Sequence, residues 1–295
     1  LDALGEFYNT PRIPAQKAKV TLRFTLSAAQ SSNILIPAGT RVTPDGELYF
    51  STTKTLIIAA GQTYGDITAE AVEGGEKYNK FAPGQIKTIV DPIPYVAGVE
   101  NIDTSSGGSD EETDDSYRER IRLAPESFSV AGPEGAYIYW AKTADVNIAD
   151  VSVTSPSAGV VEIVVLMKDG QIPTQDVLDA VNAVVSARDR RPLTDNVQVI
   201  APTEVTYNIN LTYYISSDRH TEELTLKNSI EAAVEQYKAW QCEKLGRAIN
   251  PDYLRQLMLN AGAFKIDITS PIYTELEKDE VAKVSTVTVT YGGLI

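Results

Sequence analysis

At 295 residues the chain is long enough for two or three compact domains of about 100 to 200 residues each, and a composition of 43% hydrophobic and 22% charged residues excludes the disordered and fibrous classes. A formal net charge of −14 argues against nucleic acid and anionic membranes as partners, because both need clustered Lys and Arg to neutralise phosphate. A single cysteine, Cys242, excludes an intrachain disulfide framework and a cysteine metal site.

At the amino end, Leu1, Leu4 and Tyr8 share one face of a short helical segment that Pro11 and Pro14 stop. This stripe docks on a partner, continues a helix lying upstream, or belongs to a frayed end; the chain opens without Met, as expected of a fragment. Val20, Leu22, Phe24 and Leu26 then alternate with polar residues, the period-two pattern of a half-buried strand. Short apolar runs at Ile34, Pro44, Thr55 and Ile67 recur between turn signals and predict small antiparallel sheets, with Asp45-Gly46 as a hairpin turn. Residues 77–104 are rich in Pro and Gly and read as an extended arm or loop crossing toward the next domain.

Composition changes on both sides of residues 107–124, GGSDEETDDSYRERIRLA. Five carboxylates crowd residues 110–115, and helix physics explains them more simply than a metal site. Thr113 is an N-cap, Asp114 and Asp115 fall in the first turn, and Arg118, Arg120 and Arg122 lie toward the end, matching the helix dipole. Asp114 and Arg118 are spaced for an i,i+4 pair, while Tyr117, Ile121 and Ala124 form the apolar stripe and Pro125 closes the segment. The expected element is a capped hinge helix between domains, with its pivot at residues 105–109, where Ser and Gly leave the backbone free. The competing reading is a cation or partner site. No metal is assigned, because the Gly and Glu positions of a calcium-binding EF-hand loop are missing.

Gly132-Pro133 opens a second helix carrying Ala136, Tyr137, Trp140, Ala141 and Ala144 on one face. Residues 148–154 and 160–167 read as paired strands, the second apolar enough to be central; Thr174 caps a third helix, and residues 196–200 add a strand. Val205, Tyr207, Ile209, Leu211, Tyr213 and Ile215 form the cleanest strand. Thr221 begins a long helix that Gly246 ends, Asn250-Pro251-Asp252 starts another, and strands near residues 264–268 and 284–291 complete the set. The expected fold is therefore α+β and multidomain. A terminal helical segment occupies 1–16, a β-rich domain with an extended arm 17–106, a middle α/β domain 107–202, and a C-terminal β-α-α-β-β sandwich domain 203–295.

The chain offers little for catalysis. His220 is the lone histidine, at a polar turn without a Ser-His-Asp or Cys-His context, and no dinucleotide fingerprint, P-loop, zincin or CxxC pattern is present. Neither a bilayer-length apolar run nor a signal peptide is seen, so the chain reads as made in the cytoplasm. Arg188, Arg190 and Arg191 either cap a helix end, where cations are favoured, or meet a neighbouring subunit's acidic surface. Candidate interface residues are thus Leu1, Leu4, Tyr8, Arg188, Arg190 and Arg191, with no catalytic, cofactor or metal residues.

Five motifs occur together and in order: IPAGT at residues 36–40, the GG-D-E-TD--YRERI run at 107–121, AGPEGAY at 131–137, RPLTDNV at 191–197 and LGRAI at 245–249. In this the chain resembles the baseplate J-like family of contractile phage tails and related injection machines, over nearly its whole length. Members of that family usually carry more residues before the equivalent of Leu1. The resemblance implies a structural baseplate wedge component, not a catalyst and without cofactors, that connects wedges into a ring around the hub and spike and shifts as sheath contraction is triggered. Its implied partners are a wedge protein similar to the tail protein I family, a small lysozyme-fold-like wedge protein and other copies of itself. The implied location is the virion tail baseplate, assembled in the host bacterial cytoplasm. The alternative class is a receptor- or glycan-binding tail module, permitted by the regular short strands and the 15 tyrosines.

Overall fold

Alternation along Val20, Leu22, Phe24 and Leu26 buries all four side chains in the structure, a computed structural model that describes residues 1–129 and 131–295. The chain divides into two units, Leu1–Glu119 and Arg120–Ile295. In the first, a short helix α1 (Asp2–Phe7) precedes strands β1 (Lys19–Leu26), β2 (Ile34–Ile36), β3 (Arg41–Thr43), β4 (Phe50–Thr52), β5 (Leu56–Ile58), β6 (Tyr64–Ala71), β7 (Thr88–Ile89) and β8 (Val96–Asn101). Six of them form one sheet in the order β7-β3-β4-β6-β1-β8, and β2 and β5 form a separate pair. The sheet curls until its end strands β7 and β8 come into contact, leaving a nearly closed barrel around Phe24, Phe50, Ile36 and Ile86. Asp45-Gly46 does turn the β3–β4 hairpin, but in a loop longer than two residues: Gly46 takes φ 87°, and the Asp45 carboxylate accepts from the Glu47 and Leu48 amides at 2.9 and 2.8 Å.

Residues 77–104 do not form an arm. Pro and Gly there separate two short strands, β7 and β8, which pair with β3 and β1 and close the sheet. Buried Asn101 fastens the connection, donating to the carbonyls of Phe81, Ala82 and Asp103 and accepting from the Ile86 amide at 2.8 Å. Residues 105–109 are not a free pivot either. Buried Ser105 donates to the Tyr78 carbonyl at 2.7 Å, Ser106 bridges Lys19, Ser109 bridges Gln16, and Gly108 is clasped by Asn79. Ser and Gly supply compact hydrogen-bonding groups here, and every one of these contacts lies within the first unit.

The helix α2 (Asp114–Leu123) forms where predicted, with the Thr113 hydroxyl accepting from the Ser116 amide at 3.4 Å, and the boundary between the two units falls inside it. Its pairing differs from expectation. Arg118 bonds Asp115, one residue closer along the helix, because Asp114 is taken by Arg12 at 2.7 Å. A short 3₁₀ turn follows α2 and contains Pro125.

In the second unit, α3 (Glu134–Ala144), β9 (Ile148–Thr154), β10 (Val160–Met167), α4 (Gln175–Val185) and β11 (Asn196–Ile200) build a three-stranded sheet of order β11-β10-β9. β10 is central, antiparallel to β9 and parallel to β11, and Ile163, Val164, Val165 and Leu166 are all buried, so both of its faces are covered. Tyr137 and Ala141 of α3 and Val181 and Val185 of α4 pack on Val151, Ile163 and Val165.

The rest of the unit is a β-α-α-β-β arrangement: β12 (Thr203–Ile215), α5 (Glu223–Cys242), α6 (Pro251–Asn260), β13 (Lys265–Ser270) and β14 (Glu280–Leu294). Its sheet runs β13-β12-β14, with β12 and β14 parallel. Tyr207, Ile209, Leu211, Tyr213 and Ile215 point toward α5 and α6, where Leu226, Ile230, Val234, Tyr237, Leu254 and Met258 meet them; Thr206, Asn208 and Asn210 face outward. The Asn250 side chain accepts from the Asp252 amide at 3.0 Å and Pro251 takes the first helical position, the cap chemistry expected for α6. The long helix starts at Glu223, after a 3₁₀ turn that contains Thr221, and Gly246 lies past its end with φ 63°.

Candidate interaction site

The RPLTDNV segment is fastened by several hydrogen bonds within the second unit. The last turn of α4 leaves carbonyls without helical partners, and arginines fill them. Arg190 donates to the Val184 carbonyl at 2.9 Å and lies over the Trp140 ring at 4.0 Å. Arg191 donates to the carbonyls of Ser186 at 3.1 Å, Pro192 at 3.2 Å and Asp195 at 2.6 Å. The Asp195 carboxylate in turn accepts from the Tyr137 hydroxyl at 2.7 Å. Burial, with the Asp195 carboxylate second, pushes the Tyr137 phenol above the usual tyrosine range, so it stays a hydrogen-bond donor. Gly132 sits against Pro192 and Asp195 with φ 77°, so the GP pair before α3 and the RPLTD loop interlock. The product of this framework is Leu193, held 88% exposed between Pro192 and Thr194. Of the three arginines expected at an interface, Arg190 and Arg191 serve the loop, and Arg188 is exposed.

The amino-terminal stripe is the second candidate surface, in the first unit. Leu1, Leu4 and Phe7 are 38%, 56% and 79% exposed, while Tyr8 is half-buried and stands edge-on to Phe7 at 5.1 Å. The sequence pattern counted Tyr8 and missed Phe7, because the helix is shorter than a Leu1–Leu4–Tyr8 face needs: it ends at Phe7, and Asn9 turns away with φ 52°. The acidic stretch anchors this end of the chain. The Tyr117 hydroxyl donates to the Thr10 carbonyl at 2.9 Å, buried Glu112 accepts from the Ile13 amide at 3.1 Å, and Arg12 reaches the Glu112 carbonyl at 2.8 Å. Asp110 accepts from the Glu76 amide at 3.0 Å. These carboxylates therefore satisfy backbone amides and arginines of their own unit, and among the described residues no group of His, Cys, Asp and Glu is placed to hold a metal ion.

His220 lies exposed on the 3₁₀ turn before α5, where Asp218 bonds Ser216. A shallow pocket beside the Leu193 loop is lined by Gly132, Glu134, Tyr137, Val153, Thr154, Ser155 and Val161, with Glu134 its only carboxylate. The LGRAI segment ties the second unit together: Leu245 donates its amide to Asp150 of β9 at 3.0 Å, Gly246 to the Glu280 carbonyl at 2.9 Å, and Arg247 stacks on Trp240 at 4.1 Å.

Three domains described under one family match the chain in order. They are the baseplate J-like protein barrel domain at residues 21–108, the baseplate J-like central domain at 129–201 and the baseplate J-like protein C-terminal domain at 207–290. The chain belongs to the baseplate J-like family. The nearly closed sheet of the first unit is its barrel domain, the Leu193 loop lies in the central domain, and LGRAI joins the two helices of the C-terminal domain. This baseplate J-like chain is 34% identical over 164 residues to baseplate protein J of Escherichia phage P2, a match covering 55% of the chain and 53% of that protein. The match thus spans about half the length of its relative. A cryo-EM structure of the anti-feeding prophage (AFP) baseplate, 6-fold symmetrised, is similar at 13% identity and a TM-score of 0.48, covering 92% of this chain and 76% of that one.

Proposed function

We propose that this chain is a structural wedge component of a contractile tail baseplate, connecting adjacent wedges into a ring around the hub and spike and moving as sheath contraction is triggered. The observation that carries this reading is the succession of barrel, central and C-terminal baseplate J-like domains along one chain. In this role the chain works by contact and not by catalysis. Its partners are a wedge protein similar to the tail protein I family, a small lysozyme-fold-like wedge protein and other copies of itself, joined in the host cytoplasm and carried in the virion baseplate.

Two surfaces suit such contacts. Leu193 stands on a loop already fixed by Arg191, Asp195 and Tyr137, so a partner would meet it without first ordering it. Leu1, Leu4 and Phe7 offer an apolar stripe for another helix. The test is co-expression with the neighbouring tail genes, followed by size exclusion with light scattering. A stoichiometric complex is expected, and Leu193→Asp is expected to weaken it while leaving the melting temperature of the purified chain unchanged. A chain that stays alone with every neighbouring tail protein, and instead binds glycans, would overturn the wedge assignment in favour of a receptor-binding module.

A further inference from the structure

We propose that the free edge of β14 pairs antiparallel with β14 of a second copy, about a two-fold axis through Thr288, joining two three-stranded sheets into one of six. The inference deepens the baseplate reading, which names other copies of this chain among its partners, by assigning the strand and register of one such contact; a monomer would remove that contact and leave the wedge assignment to its own test. β14 spans 15 residues and lies at the end of the order β13-β12-β14. β12 occupies one of its sides, from Thr203 against Glu280 to Ile215 against Leu294. On the other side, among the described residues, the start of the strand is met by the Gly246 amide on the Glu280 carbonyl, and no second strand pairs beyond it. Ser285, Thr286, Val287 and Thr288 are all exposed.

Soluble proteins blunt such edges with short strands, charges, prolines or bulges, since an open row of amides and carbonyls recruits another strand. The opposite edge of the same sheet follows that rule: β13 has 6 residues, carries Lys265 and Asp267, and is followed by Pro271. β14 does not. Between Val284 and Ile295 it has neither a proline nor a charged residue, in a chain of net charge −14, so two copies meet there without like charges opposed. Bulges bound the usable length, one where the register shifts between Tyr207 and Asn208 and one between Tyr213 and Ile215. The strand is regular between them, over residues 286–291.

That window is complementary to itself, and this selects a second copy as the occupant. Thr286, Thr288 and Thr290 lie on the open face with Asn208 and Asn210, while Val287, Val289 and Tyr291 lie on the face that α5 and α6 cover. In an antiparallel pair, residues on one face can oppose each other only in registers that keep the two faces apart. Centring on Thr288 sets it against itself, Thr286 against Thr290 and Val287 against Val289. Threonine then meets threonine on the open face, and valine meets valine in continuation of the apolar layer. Val287, 43% exposed in the single chain, is covered by the match. The contact is isologous, as two-fold dimers require.

The experiment uses the full chain carrying Cys242→Ser, so that no native thiol competes. Light scattering is expected to give the mass of a dimer at high protein concentration, and Thr288→Lys, which sets two ammonium groups across the axis from a solvent-facing position, to return the mass to that of a monomer with the melting temperature kept. Register is read by oxidation: Thr288→Cys cross-links to itself, whereas Thr286→Cys does so only when mixed with Thr290→Cys. Thr206→Cys, on the same open face but on the inner strand, gives no cross-link. A monomer at every concentration, with no cross-link through Thr288→Cys, overturns the proposal. So does a mass increase that appears only with a different tail protein and is blocked by Thr288→Lys, since the edge then takes a foreign strand.

Discussion

Gly5 shows how a single side chain's absence positions an element. A Cβ built there would lie 1.7 Å from the Tyr117 hydroxyl and 2.6 Å from the Thr10 carbonyl, so α1 can lie against Tyr117 only with glycine at this position. Gly5→Ala is expected to destabilise the first unit by about 1 to 3 kcal/mol, the cost of forcing an atom into packed space. Thermal melting checks it, and an unchanged melt would mean that the terminal helix contributes nothing to the unit. The same scale separates the acidic stretch into its parts. Sequence spacing assigned Asp114 to Arg118, yet Arg12 takes Asp114 because a guanidinium held at 18% side-chain exposure beside Tyr117 is better ordered than a solvent-facing helix partner.

Elements with a strong internal period were legible before the fold was known. β9, β10, α4, β11 and α6 appear at the expected places, since hydrophobic period and cap chemistry act over a few residues and need no distant partner. β7 and β8 were not legible, because β7 has only two residues, β8 is interrupted by Gly98, and each is stable only through pairing with β3 and β1 far away in sequence. Asn101 joins that segment to the sheet, its two N–H hydrogens shared among three carbonyls and its side-chain oxygen accepting from the Ile86 amide. Asn101→Leu leaves the Ile86 amide and the Asp103 carbonyl without their side-chain partner, while the Phe81 and Ala82 carbonyls keep the Ser105 and Gln85 amides, and is expected to lower stability by about 1 to 3 kcal/mol. Chemical denaturation measures this directly. A variant as stable as the parent would return residues 77–104 to the status of a loose connection.

At the scale of the molecule, ionisation sets the pH range over which the fold holds. Burial pushes the Tyr237 phenol up to about 12 and the Tyr207 phenol higher still, against about 10 for tyrosine in an unfolded chain. The folded state therefore keeps protons that the unfolded state releases, so this contribution is complete below about pH 10 and is lost as pH rises toward 12. Asp66 beside Arg23 and Asp91 beside Arg41 behave in the opposite sense. Their carboxyls are held below the usual range by hydrogen bonds from the guanidinium groups, so their contribution is present above about pH 4 and fades on acidification. Melting followed from pH 7 to 12 should show a decline beginning near pH 10, and Tyr237→Phe should flatten it. A melting temperature constant through pH 11 would contradict the buried, neutral phenol.

The α+β class, the central position of β10, the caps of α2 and α6 and the ordered motifs that mark the family can all be read from the order of residues, because each is written in local period, local cap chemistry or residue identity. Long-range contacts settle the remaining features. Arg190 and Arg191 are turned to their own loop, Leu193 and Phe7 are left in water, residues 105–109 are bound into the first unit, and among the described residues β14 is left with an open edge. The reason is physical: whether a donor, a carboxylate or an apolar side chain is free depends on what the fold brings against it from distant parts of the chain, and no local window contains that partner.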